Sequence, residues 1–254
     1  MKIFLIVLSL LLIPVHSACS ETYKDYLKQG DQFYSEFNNH SALENYLVAY
    51  KLSPDSYEVL FRLARTYNDL GEEFYEYRKS DSSEVMIKYA LMYSGMLVKN
   101  FPDSSASYAF LAMSYGNQAL FEGGKEKIKL AHKIEDNAKK SLQMNPHQYL
   151  SYIILGIYYR QIADLNWFER MFANTFFGNV PEGTFEESLD MLNKALKVEP
   201  NTIIASFQLS LTYKAMGDNE KETDLLKKLL TYQQKNFRDL FAIKKAKKRL
   251  KELE

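Results

Sequence analysis

The sequence predicts an all-α fold: a solenoid of about five stacked helical hairpins followed by a C-terminal capping helix. Four of the six prolines, at positions 54, 102, 146 and 200, each follow one amphipathic helical run and precede another. Proline suits such a joint, because it stops one helix and is tolerated in the first turn of the next. Hairpins that carry a single apolar face must stack to bury it, which predicts one continuous domain.

The residues between the prolines follow the tetratricopeptide pattern of paired helices, in which a small residue lets the two helices approach. The small residues of units one to five are Gly30, Ala64, Ala112, Gly156 and Ser210. The prolines lie 44 to 54 residues apart, against a usual repeat of about 34 residues. We therefore expect the extra residues to lie between the two helices of a unit.

In unit two, the extra residues are predicted to lengthen the first helix as far as a turn at Ser80–Ser83. In unit three they surround Gly123 and Gly124, and in unit four they form an insert over residues 163–184. The tail Phe237–Leu253 is predicted to be one more helix, the polar cap that the end of a solenoid requires.

The N-terminus is predicted to be a signal segment over residues 1–18, followed by a single solenoid domain over residues 19–254. Lys2 precedes the apolar run Ile3–Ile13, which has the length of a signal peptide and is too short for an ordinary membrane-spanning helix. Cleavage of this segment predicts an exported chain, either periplasmic or held at the envelope as a lipoprotein.

The only cysteine, Cys19, directly follows the small residues Ser17 and Ala18. This placement resembles a bacterial lipoprotein signal, whose cysteine becomes lipidated and anchors the chain to the membrane. The departure is His16, where such signals prefer an aliphatic residue. Cleavage after Ser17 or Ala18 by an ordinary signal peptidase would instead leave a plain secreted protein.

Composition and motifs indicate a binding protein and not an enzyme. The formal net charge is zero, so nothing indicates a nucleic-acid partner. Nothing in the spacing of His, Cys, Asp and Glu indicates a metal site, a catalytic residue or a cofactor. The basic run from Lys244 to Lys251 on the last helix is explained by a solvated capping face, or by an acidic partner or anionic lipid.

The unit-four insert carries an unusual set of large apolar residues. On a helix they form one broad stripe: Trp167, Phe168, Met171, Phe172, Phe176 and Phe177. Gly178 and Pro181 are predicted to end that helix. Because so large an apolar surface needs a cover, we expect Trp167, Phe172 and Phe176 to be buried against repeats four and five.

Motifs in the second half of the chain resemble the regulator of microtubule dynamics family. The resemblance rests on the insert, with Trp167, Phe168, Arg170, Phe172, Phe176, Phe177 and Pro181, and on the run Gly124–Ile128 upstream of Asn145-Pro146. It covers about Tyr57 to the C-terminus and implies a tetratricopeptide-like domain. Eukaryotic members are tied to microtubules and to lipid handling at organelle contact sites. The signal segment departs from that setting, so the microtubule activity is not expected here.

Two functions follow from the inner, concave positions of the first helices. In the early units these positions are polar, which favours a scaffold that binds a protein partner on the concave surface. In unit two they are Glu58, Phe61, Arg65, Asn68 and Asp69. In units four and five they are largely apolar, which favours a carrier for a phospholipid or another amphiphile. The residues predicted to line that late groove are Ile153, Ile157, Arg160, Phe207, Leu211 and Lys214. Arg160 and Lys214 would meet a headgroup, unless the insert helix fills the groove.

Overall fold

The computed structural model describes residues 22–253, with the side chains of Trp167, Phe168 and Phe172 excepted. These residues form twelve helices joined by short turns. The helices are α1 (Tyr23–Ser35), α2 (Asn39–Leu52), α3 (Tyr57–Glu76), α4 (Ser80–Asn100), α5 (Ser105–Gln118), α6 (Gly124–Met144), α7 (Tyr149–Ala163), α8 (Trp167–Phe176), α9 (Phe185–Val198), α10 (Ile203–Met216), α11 (Asn219–Leu229) and α12 (Phe237–Leu253). The predicted signal segment and Cys19 lie outside the described residues.

Consecutive hairpins make up the solenoid. The pairs α1 with α2, α3 with α4, α5 with α6, α7 with α9, and α10 with α11 pack most extensively. Each pair also packs on the next, as α2 does on α3 and α4 on α5. The predicted all-α solenoid of five hairpins is therefore confirmed, and α8 is the helix that interrupts the fourth hairpin.

Close approach of paired helices depends on the small residues of the repeat. A Cβ atom added at Gly156 would lie 2.5 Å from Cγ of Leu192 on the facing helix α9, so the two helices could not keep their present separation. Ala64 and Ala112, at the matching position of units two and three, are completely buried. Dense packing of this kind leaves little room for larger side chains.

The extra residues of unit two lengthen its two helices, and the turn between them stays short. Helix α3 reaches Glu76, as predicted, but Ser80–Ser83 forms the first turn of α4 and the connection is only Tyr77–Lys79. The prediction of a turn at Ser80–Ser83 was wrong. The Ser83 hydroxyl donates a 2.7 Å hydrogen bond to the carbonyl of Gly71, which holds the start of α4 against α3.

Helix α12 has the predicted bounds, Phe237–Leu253. It contacts α10 and α11 at the end of the solenoid, as a cap does, and it also contacts α3 in unit two. The last helix therefore crosses the inner surface of the solenoid. This crossing positions the groups described next.

Candidate functional site

The centre of the site is Arg238, at the start of α12. Its Nη2 atom lies 2.8 Å from Oδ1 of Asp69, and its Nε atom lies 2.9 Å from Oε2 of Glu72. Asp69 and Glu72 are one turn apart on α3, so both carboxylates face the same direction. The side chain of Asp69 is only 4% exposed. The guanidinium therefore joins the last helix to unit two by a largely buried ion pair.

A polar network extends from this pair into units one and three. The hydroxyl of Tyr34 donates to Oδ2 of Asp69 at 2.9 Å. The Asn117 amide donates to Oε1 of Glu72 at 3.0 Å and to Oδ1 of Asn68 at 2.9 Å. Hydrogen bonds of this kind are what buried polar groups require. The polar inner surface predicted for the early units is therefore present, and it is engaged by α12.

Burial and charge shift the titration of these groups. Burial raises the pKa of the Tyr34 hydroxyl, and the neighbouring Asp69 charge raises it further. Burial raises the pKa of the Glu72 carboxyl, against the opposing effect of Arg238. Burial alone would lower the pKa of Arg238, but the charges of Asp69 and Glu72 raise it overall. The arginine therefore stays charged where it lies.

The apolar side of α12 packs on unit five. Ala242, Ile243 and Ala246 share one hydrophobic cluster with Phe207 of α10 and Leu226 of α11. These α12 residues recur every three or four positions, as one face of a helix requires. Arg238, Ala242 and Ala246 lie on a single line at four-residue spacing, so one helix face carries both the ionic and the apolar contacts.

The second half of α12 is held by two further ion pairs. Lys245 pairs with Glu76 at the end of α3, and the ring of Phe241 meets that of Tyr77 edge-on with centroids 5.6 Å apart. Nearer the C-terminus, Arg249 reaches the fully buried Glu222 of α11 through Nε at 2.8 Å. Part of the basic run of α12 thus meets acidic partners within the same chain.

The apolar residues predicted to line a late groove are divided between two hydrophobic clusters. Phe207 is buried and Leu211 is partly buried, both in the cluster that contains α12. Ile153 is buried with Ala195 and Ala205, and Ile157 packs at the margin of that cluster. An amphiphile in this groove stays a prediction, and its acyl chain would compete with α12 for Phe207 and Leu211.

The two basic residues predicted to meet a headgroup are not equivalent. Arg160 is 9% exposed, and its guanidinium donates to the carbonyl and to Oε1 of Gln208 at 2.8 and 2.7 Å. Burial lowers its pKa to about 10. Lys214 is exposed near the end of α10. Arg160 is thus engaged in joining α7 to α10, and Lys214 is the one that solvent reaches.

The insert folds back on itself through Arg170. Its guanidinium donates to the carbonyl of Ile162 at 2.8 Å and to that of Pro181 at 3.3 Å, which ties the two ends of the segment together. Asn166 and Glu169 form a reciprocal capping box at the start of α8. Pro181 itself is buried. These contacts set the path of the segment without placing it in the concave groove.

Phe177 connects the insert to unit three. A Cβ atom added at Gly124 would lie 2.7 Å from Cζ of Phe177, so the ring packs directly on the glycine at the start of α6. Phe176, by contrast, is 65% exposed, and the prediction that it is buried was wrong. It is the last residue of α8, one position before the ring that meets Gly124. The predicted burial of Trp167 and Phe172 falls on side chains outside the described residues.

Among the described residues 22–253, no group of three or more His, Cys, Asp or Glu side chains is arranged to hold a metal ion. Within the same range, no helix has both the length and the apolar character needed to cross a membrane.

Comparison with known proteins identifies the family. The sequence profile described as "Regulator of microtubule dynamics protein 1-3" matches residues 26–254. The chain belongs to this family. Regulator of microtubule dynamics protein 1 of Mus musculus is 31% identical over 178 residues, which cover 70% of this chain and 57% of the mouse protein. The same protein of Bos taurus is 29% identical over 190 residues, covering 74% and 59%. This family member therefore spans less than two thirds of the length of these relatives.

Solved structures confirm the tetratricopeptide-like fold of this family member. A thermophilic TPR protein of Thermus thermophilus has a TM-score of 0.66 at 20% identity, covering 89% of this chain and 98% of that protein. PilF of Pseudomonas aeruginosa has a TM-score of 0.52 at 11% identity, covering 91% and 88%. At these identities the likeness shows the fold alone.

Arg238 of this family member was not predicted as a site residue from the sequence. Asp69 was predicted to lie on the inner surface of unit two, but no partner was predicted for its carboxylate. The available signal was the four-residue spacing of Arg238 with Ala242 and Ala246 on the tail helix. A lone arginine in line with small apolar residues indicates a charge that lies at a packed interface and needs an acidic partner.

Proposed function

We propose that this chain is a non-enzymatic protein-binding scaffold of the bacterial cell envelope, and that its concave groove binds a helix of a partner protein. One observation carries the proposal: α12, an amphipathic helix with basic residues, lies in the groove. Its Arg238 is held by Asp69 and Glu72, and its apolar face by Phe207 and Leu226. A surface that accepts this helix has the chemistry to accept another of the same kind.

The early part of the groove supports a protein ligand in particular. Arg65 of α3 stacks on the ring of Tyr34, with its Cζ atom 3.6 Å from the ring centroid. Glu58, at a concave position of the same helix, is exposed. Oriented charged and aromatic side chains of this kind give directional recognition of a polypeptide, whereas an acyl chain has no polar groups to satisfy them.

A photo-crosslinking amino acid at position 58, introduced into the full chain in its native host, tests the proposal. The matched control carries the same amino acid at position 88, where the lysine on α4 has a 70% exposed side chain. We expect a discrete protein adduct from position 58 and none from position 88. Equal adducts from both positions, or lipid adducts alone from position 58, would contradict a protein-binding groove.

The placement in the envelope rests on the pattern of residues 1–18 and on Cys19. We expect this segment to be removed and Cys19 to carry a lipid. The Cys19→Ala variant, expressed in the native host, should then leave the membrane fraction, and the lipid mass should be missing from the intact protein. A wild-type chain that retains residues 1–18, or a variant that still fractionates with membranes, contradicts the proposed anchor.

A further inference from the structure

Helix α4 has a face that the described residues 22–253 leave largely exposed. Its packed face carries Ile87, Ala90 and Leu97, which are buried. On the exposed face, a line of residues recurs at alternating intervals of four and three positions, as the contact line between two helices of a coiled coil does. We call it the α4 seam, and its members are Asp81, Val85, Lys88, Met92, Gly95 and Lys99.

The middle of the α4 seam is apolar. Val85 and Met92 are each 45% exposed, and Tyr89, directly beside the seam, is 44% exposed. They lie within two turns of the helix and form one strip about 10 Å long. Large apolar side chains grouped on one exposed face mark a surface that binds a partner.

Gly95 lies in the same seam, where its own chain has no need of a glycine. Among the described residues, a Cβ atom added at Gly95 would have no neighbour within 4 Å, whereas at Gly71 of the facing helix α3 it would collide with the side chain of Ile87. Glycine is a poor helix former, so local stability favours alanine at position 95. A glycine on an exposed face does, however, let a second backbone approach closely.

Opposite charges lie at the two ends of the α4 seam. Asp81 is in the first turn of α4 and Lys99 is in the last. Within residues 22–253, neither side chain forms an ion pair. Lys88, in the middle, is already paired with Glu84 of the same helix at 2.8 Å. The seam thus offers one unpaired charge of each sign, about 27 Å apart along the helix axis.

One arrangement makes this seam complementary to itself. When two copies of α4 pack antiparallel about a two-fold axis level with Ala90, each seam residue meets a different one: Val85 meets Gly95, Lys88 meets Met92, and Asp81 meets Lys99. The valine occupies the space above the glycine, and the aliphatic stem of the lysine covers the methionine. Each contact occurs twice, because a two-fold interface is isologous.

A parallel arrangement has none of this complementarity. Each residue would meet its own copy, so Asp81 would face Asp81, Lys99 would face Lys99, and the two glycines would leave a gap. Charge and shape therefore both select the antiparallel register, and they select a second copy of this chain as the occupant.

We propose that the α4 seam binds the α4 seam of a second copy of this chain, antiparallel, to form a two-fold dimer. Exposed lysines on α6, the second helix of the next unit, include Lys133 and Lys140 and would repel those of the copy, so the contact is limited to α4. An interface of one helix pair is small, and the dimer is therefore expected to dissociate on dilution. The protein-binding groove is lined by the first helices of the units, whereas this seam is on a second helix, so the two sites can be tested separately.

Pairs of single cysteines test the register. In full chains with Cys19→Ala, one protein carries Lys88→Cys and a second, with a tag of different length, carries Met92→Cys. We expect mild oxidation of the mixture to join the two different chains by a disulfide, and to give little disulfide in either protein alone. The matched control mixes Asp190→Cys with Lys194→Cys on α9, which have the same spacing and are exposed, and should give no such product.

Exchange of the end charges tests the same register on the full chain, with the dimer dissociation constant measured by sedimentation. Asp81→Lys should raise the dissociation constant on the order of tenfold, because two like-charge pairs replace two ion pairs. Lys99→Asp should do the same. The double variant, Asp81→Lys with Lys99→Asp, should bring the dissociation constant back toward the wild-type value.

Position 95 distinguishes a contact from a solvated face. Gly95→Leu should abolish the dimer, since its side chain would occupy the space that Val85 of the copy needs. The same variant should raise the melting temperature of the monomer, because leucine is the better helix former. Asn193→Leu, at an exposed position of α9, is the control and should leave the dimer intact.

Several outcomes would overturn the proposal. One is a mixture of the position 88 and position 92 cysteines that forms no disulfide between chains. Another is a disulfide between two position 88 cysteines at the yield of the mixture, which would show a parallel contact. A double charge variant that associates as weakly as the single variants would remove the pairing of Asp81 with Lys99. A Gly95→Leu dimer as tight as the wild type would remove the close approach at the glycine.

Discussion

The early and late halves of the groove hold the same helix by different physics. In units one to three, α12 is held by the ion pairs of Arg238 with Asp69 and Glu72, and these carboxylates also accept hydrogen bonds from Tyr34 and Asn117. In unit five it is held by burial of Ala242, Ile243 and Ala246 against Phe207 and Leu226. Apolar burial is non-directional, whereas a buried charge is stable only where an opposite charge lies beside it. The late half therefore supplies adhesion, and the early half fixes where along the groove the helix lies.

Removal of Arg238 is expected to have the largest effect on this comparison. Arg238→Ala leaves two carboxylates without their cation, one of them on the buried Asp69, and should lower the free energy of unfolding by about 3–5 kcal/mol. Urea denaturation measures the loss. Combining Arg238→Met with Asp69→Asn and Glu72→Gln should restore much of it, since no buried charge is then unpaired. A single variant that unfolds like the wild type would show that the ionic contact is dispensable.

The apolar half is tested by Leu226→Ala, which should lower the free energy of unfolding by about 2–5 kcal/mol, because a fully buried leucine leaves a cavity. Leu52→Ala, at a leucine that is 54% exposed, is the matched control and should change stability by about 0.5 kcal/mol or less. The same denaturation experiment compares the two. Similar losses for both leucines would contradict the packing of α11 against α12 and α10.

The two halves should also differ in their response to alkaline pH. The pKa of Tyr34 is raised in the folded protein, above an ordinary value of about 10. The unfolded chain therefore loses this proton first, so the contribution of Tyr34 is present below about pH 10 and declines as the pH rises further. Tyr34→Phe should lower stability at pH 7 by about 1–3 kcal/mol, through the lost bond to Asp69, and should lessen the alkaline decline.

Thermal melting at pH 7 and above pH 10 measures both effects of Tyr34→Phe. Tyr89→Phe, at a tyrosine that is 44% exposed, is the control and should alter neither. An unchanged alkaline decline in Tyr34→Phe would mean that other tyrosines dominate it. Tyr46 and Tyr158 are the first to examine, because burial raises the pKa of each.

The smallest effect is expected for the more exposed of the two α12 residues that form ion pairs with α3. Lys245→Ala removes the partner of Glu76, but the lysine side chain is 49% exposed and water can replace it. The expected loss is about 1 kcal/mol or less. Denaturation in low and high salt measures it, and any loss should shrink as salt is added. A loss as large as that of Arg238→Ala would show that the difference in burial does not determine how much each ion pair contributes to stability.

Local signals predicted most of the fold, and long-range contacts account for what was missed. Prolines, small residues and amphipathic spacing predicted the five hairpins and the bounds of α12, because each depends on residues within about one repeat. The pair of Asp69 with Arg238 joins residues far apart in sequence, which no local pattern encodes. The hydrogen bonds of Arg160 to Gln208 in the next unit are another long-range contact that the sequence did not indicate.

The insert likewise has features that local sequence predicted and others that depend on distant residues. Gly178 and Pro181 predicted the end of the helix, which lies at Phe176. The contacts of Arg170 are likewise local, because Ile162 and Pro181 lie at the two ends of the segment. The exposure of Phe176 depended instead on another unit, where Gly124 offers a surface flat enough for the neighbouring Phe177 ring. An apolar stripe indicates that a helix has a side to cover, but it does not indicate which of its rings the rest of the chain will meet.

The path of α12 changes how the solenoid can unfold. Repeat arrays of this kind are coupled only between neighbours, so their end units can open separately while the rest stays folded. Here the ion pairs of α12 with α3, and its packing on α10 and α11, connect unit two to unit five. Opening of either unit must break contacts of α12 that also hold the other unit. Units two and five are therefore expected to unfold cooperatively, and not as independent segments. Amide hydrogens of α3 and α10 are therefore expected to exchange with solvent in the same opening event.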